Sequence, residues 1–169
     1  MLIAAMNPCP CGYYNHPDKE CVCAPGVVQK YLNRISGPLL DRIDIQIEVV
    51  PVPFREMDKT QKGEKSAEVR KRVIAARKIQ EQRFAEDVKT HANAQMSTKQ
   101  LQRYCQLDEK SRELLKNAME KLSLSARAYD RILKVARTIA DLAQSEAIQS
   151  EHLAEAIHYR SLDRESWGQ

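Results

Sequence analysis

The chain has 169 residues, of which 43% are hydrophobic, 30% charged and only 5% aromatic, with a formal net charge of +4. That size suits one globular domain or a small core piece joined to a helical domain, and the balance disfavours an all-β sandwich, which needs more β-branched, aromatic and turn residues. No apolar run approaches the roughly 20 residues of a membrane span, and the mild basicity permits nucleic-acid contact without requiring it.

In chain order, LIAAMN at 2–7 predicts a short buried strand that stops at Asn7-Pro8, and a cysteine-bearing loop follows. A helix is expected from about Val27 to Arg34. RIDIQIEVV predicts a second strand, with Ile43, Ile45, Ile47 and Val49 on one face. Proline and glycine crowd the first third. Beyond Gly63 there is no proline, and no glycine before Gly168, so PVPFREMDKTQKGE at 51–64 reads as a linker. KSAEVRKRVIAARKIQEQRF then predicts a long helix with Val69, Val73, Ala76 and Ile79 along its apolar stripe. Ser97 or Thr98 caps a short helix carrying Leu101 and Tyr104, and Asp108 caps EKSRELLKNAMEKL. Ser125 caps ARAYDRILKVARTIADLAQ, where Ile132, Val135, Ile139 and Leu142 recur at helical spacing, and Ser150 opens a last helix in EHLAEAIHYR.

The expected fold is mainly α: a helical bundle over 65–165 behind a piece of an α/β core over 1–50. Two strands and a cysteine loop cannot close a sheeted core, and unpaired strand edges invite association. The chain is therefore expected to be part of a larger protein. Gly63-Glu64-Lys65-Ser66 imitates the end of a phosphate-binding loop, but Glu64 interrupts the Gly-Lys step and no glycine lies five residues earlier. A hydrophobic strand ending in Asp-Glu is also missing, so the chain by itself is expected to turn over no ATP.

Four of the 5 cysteines fall in Cys9-Pro10-Cys11 and Cys21-Val22-Cys23, separated by nine residues. The opening MLIAAMNPCPCG lacks the basic flank of a secretory signal. A cytoplasmic setting is expected, where thiols stay reduced and clustered cysteines point to metal before disulfides. Four thiolates on such a loop can surround one Zn²⁺ tetrahedrally, with Gly12, Pro17 and Pro25 making the turns. The expected role is structural. His16 can replace one cysteine, and the alternatives are four reduced thiols in a loop or two disulfides. Cys105, beside Tyr104 on a short helix, reads as a small buried hydrophobe.

Three segments in order carry a resemblance. AAMNPCPCGYY at 4–14 resembles the sensor-1 strand end and following loop of ComM/YifB-like AAA+ ATPases, and also the A-A-N-P segment of MCM helicases. SGPLLDRIDIQIEV at 36–49 resembles their arginine-finger segment, and SARAYDRILKVARTIADL at 125–142 resembles the sensor-2 helix of the lid domain named after the magnesium-chelatase ATPase subunit. The resemblance implies that 1–50 ends an AAA+ core and 65–165 forms the C-terminal lid. It implies ATP and Mg²⁺ as ligands of the whole protein, a hexameric ring, and DNA translocation in branch migration during natural transformation. By the same resemblance Asn7 orients water or the γ-phosphate, Arg42 is the finger that reaches a neighbouring subunit, and Arg127 is the sensor-2 arginine. Arg131, one turn on, competes with Arg127 for that role.

The chemistry fits those residue types. Asn offers both a donor and an acceptor, and a planar, permanently charged guanidinium can stabilise phosphoryl-transfer charge. Arg127, in the first turn of its helix, opposes the favoured sign of the helix dipole. Structural alternatives stand beside each: Asn7-Pro8 ending a strand, Arg42 pairing with Asp41 or Asp44, and Arg127, Arg131 and Arg137 as solvated helix arginines. The basic residues between Lys65 and Arg83 spread round more than one face and read mostly as solvated surface. Tyr13 and Tyr14 can stack on bases or pack locally. Two other function classes remain open, a magnesium-chelatase-type ATPase serving porphyrin metallation and a non-catalytic zinc-bearing interaction module.

Overall fold

The computed structural model describes residues 2–49, 52 and 63–160. Most of the linker expected at 51–64, and the end of the lid beyond 160, lie outside those residues. Among the described residues seven α-helices follow one another: α1 (Pro25–Leu32), α2 (Gly37–Leu40), α3 (Ser66–Arg83), α4 (Thr98–Tyr104), α5 (Glu109–Lys121), α6 (Ala126–Leu142) and α7 (Ser150–His158), with a 3-10 turn at Asn93–Gln95 between α3 and α4.

The helix starts follow local chemistry. Ser97 caps α4 in a reciprocal box with Gln100, whose Oε1 accepts the Ser97 backbone N–H at 2.8 Å. Asp108 accepts the Ser111 amide at 2.8 Å to start α5, and the Ser125 hydroxyl accepts the Ala128 amide at 3.3 Å to start α6. The last helix opens at Ser150, its expected first residue. Its cap is Gln149, whose backbone N–H donates to His152 Nδ1 at 3.1 Å, while the Ser150 hydroxyl meets that of Ser111 at 3.0 Å across to α5. Ser150 thus opens its helix and also joins it to α5.

α6 is the axis of the bundle and packs on α7, α3, α4 and the 3-10 turn, while α5 packs on α7. Its buried stripe is Ala128, Ile132, Leu133, Ala136 and Ala140, of which the last four meet Phe84, Met96, Leu101, Leu115 and Leu153 in one core. The expected stripe of Ile132, Val135, Ile139 and Leu142 is rotated from this, with Leu142 exposed and Val135 and Ile139 at the core's margin. Small alanines carry the close helix contacts, and size-weighted patterning undervalues them. In α3, Val69 and Val73 are exposed and burial begins only at Ala76 and Gln80.

A charged network crosses this core. The Asp141 carboxylate, fully buried, accepts Arg83 at 2.5 and 2.7 Å, Asn93 Nδ2 at 2.7 Å and Arg137 Nε at 3.1 Å. Arg137 spends its other donors on the carbonyls of Ser145 and Glu146 beyond the end of α6. Its place is structural and buried, and the solvated alternative for it is corrected. Partial pairing of a buried charge is costly, and here both oxygens of the carboxylate are matched.

Both strand expectations are corrected: no strand forms among the described residues. Residues 2–7 and 43–49 are irregular and largely exposed, with Leu2, Ile3, Ile47 and Val49 open to solvent. A strand needs a neighbour to satisfy its amides and carbonyls, and these two segments do not pair with each other. The second is held to the bundle instead, through Ile43, Asp44 and Gln46.

Candidate metal centre and nucleotide-site residues

The cysteine loop is shaped by its turns. The Gly12 amide donates to the Cys9 carbonyl at 3.0 Å, and Gly12 sits at φ +83°, a conformation that strains any residue with a Cβ. A second turn brings the His16 amide onto the Tyr13 carbonyl at 3.1 Å, with Asn15 at positive φ. The chain then returns through Cys21 and Cys23 into α1, whose Val28 and Leu32 pack with buried Cys9 in a small core of their own.

These turns gather the four sulfurs. Cys9 lies 3.3 Å from Cys11 and 3.6 Å from Cys21, Cys11 lies 3.5 Å from Cys21, and all four Sγ atoms fall within 4.8 Å of one another. A regular tetrahedron with Zn–S bonds near 2.3 Å has S–S edges of about 3.8 Å, so the set has the size a zinc ion requires. The backbone supports anionic sulfur as well. The Tyr14 amide donates to Cys9 Sγ at 3.3 Å, and the amides of Tyr13, Val22, Cys23 and Cys11 are directed at the other three.

The thiols cannot ionise independently. The Tyr13 amide, aided by the neighbouring thiols, draws Cys11 down to about 6. The Cys23 amide favours ionisation of Cys21 too, but burial and the adjoining sulfurs override it and push Cys21 up to about 12. Cys23 is raised in the same way against the pull of the Cys11 amide. One thiolate forms readily and then opposes the next, and a divalent cation at the centre removes that opposition. His16 is not one of the four: its Nδ1 accepts the Asp18 amide at 3.0 Å and its ring meets Tyr13 edge-on at 5.6 Å. Tyr13 carries Lys19 Nζ 4.9 Å from its ring centroid, and Tyr14 packs locally against the thiol core. Cys105 stands apart in the helical core, its thiol pushed up to about 12 by burial and directed at the Leu133 carbonyl at 3.7 Å.

The remaining candidates lie on three different segments. Asn7 is exposed beside the cysteine turn, its Nδ2 3.9 Å from the point a Cβ on Gly12 would occupy. Arg42 is exposed just after α2, with Nη1 donating to the Pro38 carbonyl at 2.7 Å. Arg127 is exposed in the first turn of α6 and has no hydrogen-bond or ion-pair partner among the described residues. Arg131 pairs with Asp44, the carboxylate that the sequence offered to Arg42. No hydrogen bond or ion pair among the described residues joins Asn7, Arg42 and Arg127 to one another. Sequence reasoning missed the ties from Arg131 to Asp44 and from Arg160 to the Ile43 carbonyl, because they span 87 and 117 residues. It missed Asp141 too, where the spacing of four from Arg137 was the available signal.

The family profile described as magnesium chelatase, subunit ChlI C-terminal, matches residues 63–160, and that described as magnesium chelatase, subunit ChlI, matches 1–57. The chain is 44% identical over 164 residues to the competence protein ComM of Haemophilus influenzae, covering 96% of this chain and 31% of ComM. It is 43% identical to YifB of Salmonella typhimurium and 42% identical to YifB of Escherichia coli, again over 96% of this chain and 31% of each relative. The chain thus spans about a third of the length of these relatives. Among the described residues no helix is long and apolar enough to cross a membrane. On the match to 63–160, which takes in every helix of the bundle, the chain belongs to the magnesium chelatase subunit ChlI family.

Proposed function

We propose that this chain is the part of an ATP-driven ring motor that senses nucleotide in its own subunit and completes the site of the next. The observation that carries the reading is the pairing of two exposed arginines with two family segments. Arg42 follows α2 within 1–57, and Arg127 opens α6 within 63–160. In this reading Arg42 reaches the γ-phosphate of a neighbouring subunit, Arg127 is the sensor-2 contact and Asn7 orients water or phosphate. ATP and Mg²⁺ are ligands of the whole protein, which assembles as a hexamer in the cytoplasm. Mg²⁺ supplies charge neutralisation to the phosphates, and the arginines supply positive charge that solvent cannot reorganise away. The cysteine cluster holds one structural Zn²⁺ through Cys9, Cys11, Cys21 and Cys23.

DNA is the proposed substrate, as a branch-migration helicase of natural transformation, and the identity to a competence protein supports it. In the full-length protein, Arg42→Ala is expected to lower kcat for ATP by about 10³-fold while leaving ring assembly intact. Wild-type turnover in the assembled ring would remove Arg42 from the mechanism. Stimulation of ATPase activity by DNA supports the DNA reading. Stimulation only by chelatase partner subunits would replace it with the porphyrin-metallation reading that the family description offers.

A further inference from the structure

The loop that carries Arg42 is gripped by the helical bundle at three positions immediately after the arginine. Ile43 accepts a hydrogen bond through its carbonyl from the Arg160 guanidinium, a side chain almost completely buried. The Asp44 carboxylate pairs with Arg131 of α6. The Gln46 amide donates to the Tyr159 carbonyl at 3.0 Å, just past the end of α7. Gln46 also turns its side chain back, Nε2 donating to the Leu40 carbonyl at 3.3 Å, and so closes the loop around Arg42. On the other side Arg42 is tied to Pro38 of α2, and Leu40 is buried.

We propose that Arg131 is a positioning residue for Arg42: through Asp44 it latches the Arg42 loop to the helix that carries Arg127 in its first turn. The inference rests on the roles given above to Arg42 and Arg127. Arg131 lies one helical turn from Arg127, so a movement of α6 that accompanies nucleotide binding at Arg127 is carried by Arg131 to Asp44, and from there to Arg42. Arg160 and the Gln46 amide form the fixed part of this attachment, since one is buried and the other is a main-chain bond. The Asp44–Arg131 pair is its adjustable part. Both side chains remain partly open, 56% and 30% exposed, and pairs of that kind are weak and readily exchanged. The same geometry separates the two arginines of α6: Arg127 is available to a ligand, whereas Arg131 already answers a carboxylate.

Residue-resolved hydrogen exchange and ATP kinetics on the full-length protein test this together. Arg131→Gln and Asp44→Asn are each expected to speed exchange of the Gln46 amide by about two- to fivefold, with amides in the middle of α6 unchanged. The combined reversal Asp44→Arg with Arg131→Asp slows it again. In ATP turnover both single variants lower kcat and leave KM unaltered, because they displace a group serving the neighbour's site. The proposal is overturned if Gln46 exchange ignores Arg131→Gln, or if the reversed pair exchanges as fast as the single variants. It is overturned equally if Arg131→Gln raises KM for ATP while Asp44→Asn does not, the mark of a direct nucleotide contact. The exchange measurement needs no ATP, so it stands apart from the outcome for Arg42→Ala.

Discussion

Cys9 differs from the other three clustered thiols. It is fully buried against Val28 and Leu32 and takes the Tyr14 amide on its sulfur, whereas Cys11, Cys21 and Cys23 are half-buried at the rim. Cys9→Ser is therefore expected to do more than remove one ligand, because it puts a hydroxyl into the small core beneath the site. Elemental analysis of reductively purified protein should find one zinc per chain in the wild type and almost none in Cys9→Ser. Cys23→Ser should retain a weakly held fraction that a chelator strips first. Asp108 gives a second test at this scale. The Ser111 side chain and amide hold its carboxyl below the ordinary carboxylate value. The folded value is thus the lower one, and the stabilisation is complete above the unfolded value, near pH 4, and is lost as pH falls through the folded value. Asp108→Ala should lower Tm at neutral pH, and the gap to wild type should close on acidification below about pH 4.

At the scale of elements, the decisive residue is Asp141. It joins α6 to the end of α3 through Arg83 and to the 3-10 turn through Asn93, and it also holds Arg137. Asp141→Ala leaves two guanidiniums, 12% and 4% exposed, without their carboxylate. The expected loss is about 3–5 kcal/mol, to be read from urea unfolding. The reverse asymmetry makes Arg83→Ala alone a milder change, since Arg137 and Asn93 still serve Asp141. This network also marks how far the sequence could be read. Helix starts were legible at Ser97, Asp108 and Ser125, because a cap is a bargain between residues three apart. The cysteine cluster was legible for the same reason, its ligands lying within one short loop. The buried face of α6 was only half legible, since Ala128, Ala136 and Ala140 carry contact by being small. Asp44–Arg131 and Arg83–Asp141 were not legible, because each depends on packing that brings distant segments together. The strands were misjudged for a physical reason as well: alternation of Ile43, Ile45, Ile47 and Val49 encodes a face but does not provide the neighbouring strand that must pair with it.

At the scale of the molecule, the described residues form two separate hydrophobic clusters, a large one in the helical bundle and a small one under the cysteine loop. Ties between the N-terminal segment and the bundle leave from Ile43, Asp44 and Gln46, well beyond the thiols in sequence. Each cluster should therefore respond to its own perturbation. Among the described residues the small cluster has Cys9, Val28 and Leu32 enclosed, too little apolar burial to order a loop by itself, so the zinc proposed above would supply much of its stability. The bundle has its caps, its alanine-lined α6 and the Asp141 network, none of which involves a cysteine ligand. Removing zinc with a chelator under reducing conditions is expected to release amide protection at Gly12, Tyr14 and His16, whose donors depend on the loop's turns. The thermal unfolding of the helices, followed by far-UV circular dichroism, should stay within about 2 °C of the loaded protein. A loss of helix in step with zinc would mean that the two clusters fold as one unit. Asp141→Ala makes the reciprocal case: it should lower the helical transition while the zinc content of the folded protein stays at one per chain.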